Sequence, residues 1–319
     1  MALLQSGKPK IDNEYRVEGQ VRVVIRRLFK NKLATFSLYL LLLIIVACVV
    51  VPMISGYGYN QNDMLNSRQA PSVTHMMGTD VNGRDVMTRL FYGGRMSLLI
   101  SLITTFIDVL LGLLIGLIAG YYGGKIDNIL MRITEIFLSL PFLIICITVI
   151  AVFGTPDPQN FPGLVAFVQA IGMQSWSILL LIMVLGILSW PSLARMVRGQ
   201  VLSLREQEFM EACEALGIRD TRRIFRHIMP NVLSTVIVYA TLGFAGVILS
   251  EAALSFLGLG VNPVTPTWGN MIQDANSLTN IKSRLWLWVP AGAMILLTVM
   301  SFNILGDGLR DALDPKMKE

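Results

Sequence analysis

Six apolar stretches, each long enough to cross a bilayer as a helix, dominate this sequence of 319 residues. A hydrocarbon core about 30 Å thick needs about 20 helical residues at a rise of about 1.5 Å each. The stretches cover residues 33–54, 96–121, 133–153, 176–194, 232–257 and 286–305. Composition agrees, with 54% hydrophobic residues, 15% charged residues and a mean hydropathy of +0.61. A soluble domain carries about 25% charge. This balance excludes a disordered chain and a typical cytosolic enzyme. It also disfavours an outer-membrane barrel, whose strands alternate polar and apolar residues. The expected fold class is an all-α polytopic membrane protein with six transmembrane helices.

Basic residues orient such a chain, because cytoplasmic loops collect Lys and Arg. An even number of spans leaves both termini on one side. Segments 1–33, 122–132, 195–231 and 306–319 hold 20 of the 26 basic residues, and the loops opposite hold six. Both termini are therefore expected in the cytoplasm. The expected organisation is a cytoplasmic segment 1–32, a six-helix domain 33–305 and a cytoplasmic tail 306–319. Within the domain, loop 55–95 faces outward and loop 195–231 faces the cytoplasm. The net charge of +5 belongs to this topology; no basic face or nucleic-acid motif accompanies it. Cys48, Cys146 and Cys213 are widely spaced and suggest neither disulfides nor a metal site. The polar N-terminal stretch is longer than the n-region of a signal peptide, so the first span is expected to be retained. No paired halves of the kind found in many secondary transporters are visible.

The longest inner loop carries the most informative pattern. Residues 205–231 read REQEFMEACEALGIRDTRRIFRHIMPN. Helix formers run from Glu206 to Leu216, with Phe209, Cys213 and Leu216 recurring at helical spacing beside Met210. Gly217 fits a helix stop. Asp220 or Thr221 fits the N-cap of a second helix over 222–228, which Pro230 is expected to end. Ile224, Phe225 and Ile228 form its apolar face. Such an element can lie on lipid or dock in a protein groove, and physics alone leaves both open.

The residue order resembles the EAA loop of ABC importer permeases. Glu211-Ala212-Cys213, three residues, Gly217, nine residues, then His227-Ile228-Met229-Pro230 match its spacing. Cys213, His227 and Met229 depart from the usual identities. The resemblance implies a coupling helix set in an ATPase subunit, with Glu211, Ala212 and Gly217 as its structural part.

Three more stretches resemble the dipeptide and oligopeptide branch of that family. They are Gly78-Thr79-Asp80-Val81-Asn82-Gly83-Arg84-Asp85, Ser250-Glu251-Ala252-Ala253-Leu254-Ser255-Phe256-Leu257-Gly258-Leu259-Gly260, and Gly306-Asp307-Gly308-Leu309-Arg310-Asp311-Ala312-Leu313-Asp314-Pro315. The set is similar to the second, C-type permease of such importers. It implies the type I ABC importer fold, a homologous permease partner, two ABC ATPase subunits and an extracytoplasmic binding protein. It further implies a bacterial or archaeal cytoplasmic membrane, with membrane lipid around the spans and no cofactor.

The same stretches have a reading from their own chemistry. Asp80 can cap a turn, Asn82-Gly83 supports positive φ, and Arg84, Asp85 and Arg89 open a helix that feeds the second span. That loop is a rigid turn, a lid or a dock for the binding protein. Glu251 is an intramembrane acid that must face protein or water; it either stands in the pathway or gate, or joins two spans. Asp108 is a second such candidate. It shares a stripe with Gly112, Gly116 and Gly120, a spacing that favours close helix packing. Pro141 and Pro191 are expected to kink their spans. The 17 methionines are scattered as packing residues.

No G-x-x-x-x-G-K-[ST], H-E-x-x-H or G-x-S-x-G occurs, so no enzyme activity is expected in this chain. Short peptides are the first substrate implied, because the matched stretches belong to that branch. Nickel, glutathione and opine-like substrates occur in the same branch. An ion-coupled secondary transporter and a membrane scaffold are the alternatives from other classes.

Overall fold

The computed structural model of the chain describes residues 20–154 and 176–313. It begins with a short helix, α1 (Gln20–Lys30), whose basic residues Arg22, Arg26 and Lys30 are exposed. Asn31 separates α1 from α2 (Lys32–Ile54), the first span. Its side chain accepts from the amides of Leu33 and Ala34, which caps the new helix.

The second span lies in α3 (Val86–Tyr122), a single helix of 37 residues. It starts ten residues before the apolar stretch, because Asp85 caps it through the amide and hydroxyl of Thr88. The third apolar stretch is broken beside Pro141 and not merely kinked there. It forms α4 (Gly124–Ser139) and α5 (Phe142–Phe153), bent by 81°. Leu140 and Pro141 are both extended at the break. A proline pushes its predecessor out of the helical region, so the break falls one residue before Pro141.

The fourth span, α6 (Trp176–Arg205), absorbs Pro191 inside a continuous helix and runs eleven residues past its apolar stretch. The short α7 (Glu208–Ala215) follows. The fifth span, α8 (Asp220–Phe256), includes the segment expected to be a separate helix. Pro230 does not end it. Residues Arg223–Ile228 instead form a π-helical turn, and α-helix resumes at Met229. Pro230 has no amide for an i−4 bond, and the wider turn accommodates that gap. The chain continues through α9 (Trp268–Ile272) and α10 (Leu278–Ser283) to the sixth span, α11 (Val289–Leu313). This last helix carries on through the glycine-rich tail motif as far as Leu313. Asp314 and Pro315 lie outside the described residues, as do residues 1–19 and 155–175.

Lipid is as apolar as leucine, so the spans associate by close packing and polar contacts. Five single helices are apolar and long enough to cross a membrane, and the bent pair adds a sixth span when its two arms are counted together. The most enclosed of the five is α6, and it lies along α3. A Cβ on Gly112, Gly116 or Gly120 would sit 2.7, 2.6 or 2.7 Å from the Cβ of Leu193, Val197 or Val201. Gly308 likewise lets α11 reach Ala34 of α2.

Candidate coupling and gating sites

The two long loops meet opposite ends of α3. At the Tyr121 end stands the segment with the EAA-like spacing. Its helix α7 stops where expected: Gly217 adopts φ +65°, its amide donates to Glu214, and the Ile218 amide donates to Cys213. These paired bonds form a Schellman cap, which favours glycine at the left-handed position. The cap leaves Glu211, Ala212, Leu216 and Gly217 exposed at the tip, with Leu216 78% accessible. The buried face of α7 is Met210 and Cys213, while Phe209 and Leu216 point outward.

The second half of the loop is packed differently from expectation. Ile224 and Ile228 are buried in a cluster with Leu117 and Tyr121 of α3 and Val197 and Val201 of α6. Phe225 is 48% exposed, and Pro230 is exposed inside α8. The apolar face therefore divides, with two residues holding the loop to its own chain and one facing away. The N-cap position is Arg219, not Asp220 or Thr221. The Asp220 carboxylate instead accepts from the Tyr121 hydroxyl at 2.7 Å. Arg223 donates to the Ile218 carbonyl at 2.6 Å and lies within ion-pair distance of Glu214 and Asp220. Arg198 of α6 makes a two-pronged contact with Asp127 of α4.

At the Asp85 end, the GTDVNGRD stretch forms a closed polar web. One oxygen of Asp80 accepts from the amides of Asn82 and Arg84. The other meets Arg84 Nε at 2.7 Å and Arg89 Nε at 3.4 Å. Arg89 also donates to the carbonyls of Tyr59 and Pro263, which ties α3 to the segment after α8. Asp85 adds His75 Nδ1 at 2.9 Å to its capping bonds. Gly83 lies at φ +73°, and a Cβ there would overlap the Asp63 carbonyl. Asp80, Arg84, Arg89, Asn270, Gln273 and Asp274 share a cavity of about 230 Å³. Burial, with the nearby Asp80, lifts Asp274 to about 6 against the pull of Arg89, Arg84 and Arg68.

The two intramembrane acids are separate. Glu251 is fully buried and accepts from Ser97 at 3.2 Å, Ser255 at 2.8 Å and Thr267 at 2.8 Å. Ser97 in turn accepts from the Trp268 amide, and the Trp268 indole donates to the Leu90 carbonyl. Glu251 thus joins α3, α8 and α9. Asp108 is 3% exposed and lies beside Gly243 of α8, with Oδ1 unpartnered among the described residues. Among those residues no group of three His, Cys, Asp or Glu side chains could hold a metal.

Sequence reasoning missed Tyr121, Asp127, Arg198, Arg223 and Thr267. The partners of Tyr121, Asp127, Arg198 and Thr267 are distant in sequence, and no local spacing announces them. Only Arg223 carried a signal, as a cation next to the buried Ile224.

Comparison with known proteins agrees with this architecture. Residues 112–319 match the family model of the binding-protein-dependent transport system inner membrane component. Residues 19–71 match that of the N-terminal transmembrane domain of oligopeptide transport permease C. The dipeptide transport system permease protein DppC of Alkalihalophilus pseudofirmus is 38% identical over 98% of this chain and 96% of its own. The oligopeptide transport system permease protein OppC of Escherichia coli K12 is 42% identical over 91% and 89%. A chain of the MetNI methionine ABC transporter, solved in inward-facing conformations, superposes with a TM-score of 0.54 at 19% identity. That match covers 72% of this chain and 98% of the solved one, and identifies the fold as that of type I ABC importer permeases. The chain belongs to the family of binding-protein-dependent transport system inner membrane components.

Proposed function

We propose that this chain is one of the two permease subunits of an ATP-driven importer of short peptides. Its relatives carry dipeptide and oligopeptide transport names. It would pair with a homologous permease and two ABC ATPases, and an extracytoplasmic binding protein would deliver the peptide. Both termini would lie in the cytoplasm of a bacterial or archaeal cell, on the side where most basic residues collect.

The observation that carries the reading is the tip at Gly217. A rigid capped turn holds Glu211, Ala212, Leu216 and Gly217 outward, while Met210, Ile224 and Ile228 anchor it inward. Phe209 and Leu216 exposed on a fixed base suit a partner's groove better than free solvent. ATP-driven closure of the ATPases would move this tip and, through its anchors, the spans. Glu251 and the Asp80–Arg84–Asp85 web would hold the outward-facing end together as the pathway opens, and Asp108 would sit deeper along the same helix.

The test is reconstitution of the chain with its partner permease, ATPases and binding protein in vesicles. Uptake of a labelled peptide should require ATP and persist when ionophores collapse the ion gradients. Uptake that follows the gradient without ATP would overturn the reading. Gly217→Leu should abolish co-purification of the ATPases, because a Cβ is strained at φ +65°.

A further inference from the structure

The tip is continuous with two helices and separate from a third. Residues 206–207 join it to α6, and Asp220 opens α8. Between the tip and the body of α8 lies the π turn Arg223–Ile228, followed by Pro230. That turn has wider hydrogen bonds, and the proline leaves a carbonyl one turn back without its amide donor. It is the place in α8 where regular i−4 bonding lapses.

No such break separates the tip from α3. Tyr121 stands at the end of α3, 8% exposed, and donates to Asp220 at 2.7 Å. Arg223 approaches the Tyr121 hydroxyl at 3.5 Å, bonds the Ile218 carbonyl and reaches Glu214. Arg205 of α6 donates to the Tyr121 carbonyl at 2.8 Å. Glu214, Ile218 and Asp220 flank Gly217 on both sides, so the clasp grips the tip itself. Beyond it, the glycine stripe locks α3 to α6, and Ser97 on the same helix meets Glu251.

We infer that Tyr121 is a positioning residue that carries displacement of the tip into α3 through the Tyr121–Asp220–Arg223 clasp. The inference rests on the importer reading above. On this account α3, α6 and the tip move as one body, and α8 flexes against them at its π turn.

The experiment uses the complete importer in vesicles and reads peptide taken up per ATP hydrolysed. Tyr121→Phe removes one hydroxyl from a bond to a charged acceptor and should lower that ratio about tenfold, with the assembled complex still hydrolysing ATP. Asp220→Ala should do the same. Asp220→Asn keeps an acceptor oxygen for the tyrosine and should keep the ratio within about twofold of the parent. The double variant Tyr121→Phe/Asp220→Ala should be no worse than the worse single one, because both break one bond. If Tyr121→Phe fails to assemble, the half-exposed Asp220 pair of variants decides alone. An unchanged ratio in Tyr121→Phe, an Asn variant as poor as the Ala variant, or additive losses would overturn the clasp. A parent complex that takes up no peptide with ATP would overturn the importer reading instead.

Discussion

Gly112, Gly116 and Gly120 of α3 lie directly against Leu193, Val197 and Val201 of α6, whereas Ser97 and Asp108 of α3 lie against α8. At these three glycines the first seam is closed by apolar side chains and has no room for a Cβ. The second depends on whether each buried polar atom finds a partner. At Glu251 it succeeds, with three hydroxyl donors on one carboxyl group. At Asp108 it does not, since Oδ1 has no partner among the described residues. The dry seam is therefore held by shape at these glycines. The polar seam carries three hydrogen bonds at Glu251 and leaves Oδ1 of Asp108 unpartnered among the described residues.

The comparison breaks first at Glu251. Glu251→Ala would leave Ser97, Ser255 and Thr267 buried without their acceptor, at a cost of roughly 3–5 kcal/mol. Chemical unfolding in lipid–detergent micelles should register it, and Glu251→Gln should recover more than half, because one acceptor oxygen remains. An alanine variant as stable as the parent would make the two levels of the polar seam equivalent and end the contrast.

Gly116→Leu tests the dry seam. A Cβ there falls 2.6 Å from Val197 Cβ and 2.7 Å from the Ala194 carbonyl, and overpacking of this kind costs about 1–3 kcal/mol. Gly246→Ala on α8 meets nothing within 4 Å and should be neutral in the same assay. Equal effects at the two glycines would show that α3 and α6 are not locked.

Asp108→Asn should shift stability by less than about 1 kcal/mol, since no bonded partner of Oδ1 is lost. A loss as large as that at Glu251 would mean that Asp108 has a partner supplied by another subunit.

These contrasts also mark what the sequence could reveal. The spans were legible because a run of about 20 apolar residues has one physical use. The glycine stripe was legible because its spacing is local, and so was the Gly217 stop. Pro141 announced a disturbance, but an 81° break and a tolerated proline look alike in sequence. Pro191 stays inside α6, and Pro230 sits just past a π turn. Packing decides among these outcomes, and it is not local. The same reason hid the donors of Glu251: Ser97 and Thr267 are 154 and 16 residues away. The Asp80–Arg84–Asp85 motif was visible as a turn, while Arg89 as its link to Pro263 was not.

A further effect is expected outside the spans, at Asp274. Burial lifts this carboxyl from 3.8 to about 6, with Asp80 adding to the shift and Arg89, Arg84 and Arg68 opposing it. A raised acid pKa means that the folded protein binds the proton more tightly than the unfolded chain. Its contribution is therefore fully present below about 3.8 and is lost as pH rises through about 6. Residues 268–283, which include α9 and α10, should show slower amide exchange at pH 5 than at pH 7, after correction for intrinsic rates. Asp274→Asn cannot ionise and should flatten that dependence, with the protection at pH 7 raised to the level seen at pH 5. The neighbouring cavity of about 230 Å³ supplies the reason. Arg84 and Arg89 face it with their charge already engaged by Asp80, so little positive charge is left for a second carboxylate. A variant that kept the parent's pH dependence would place the titrating group elsewhere than Asp274.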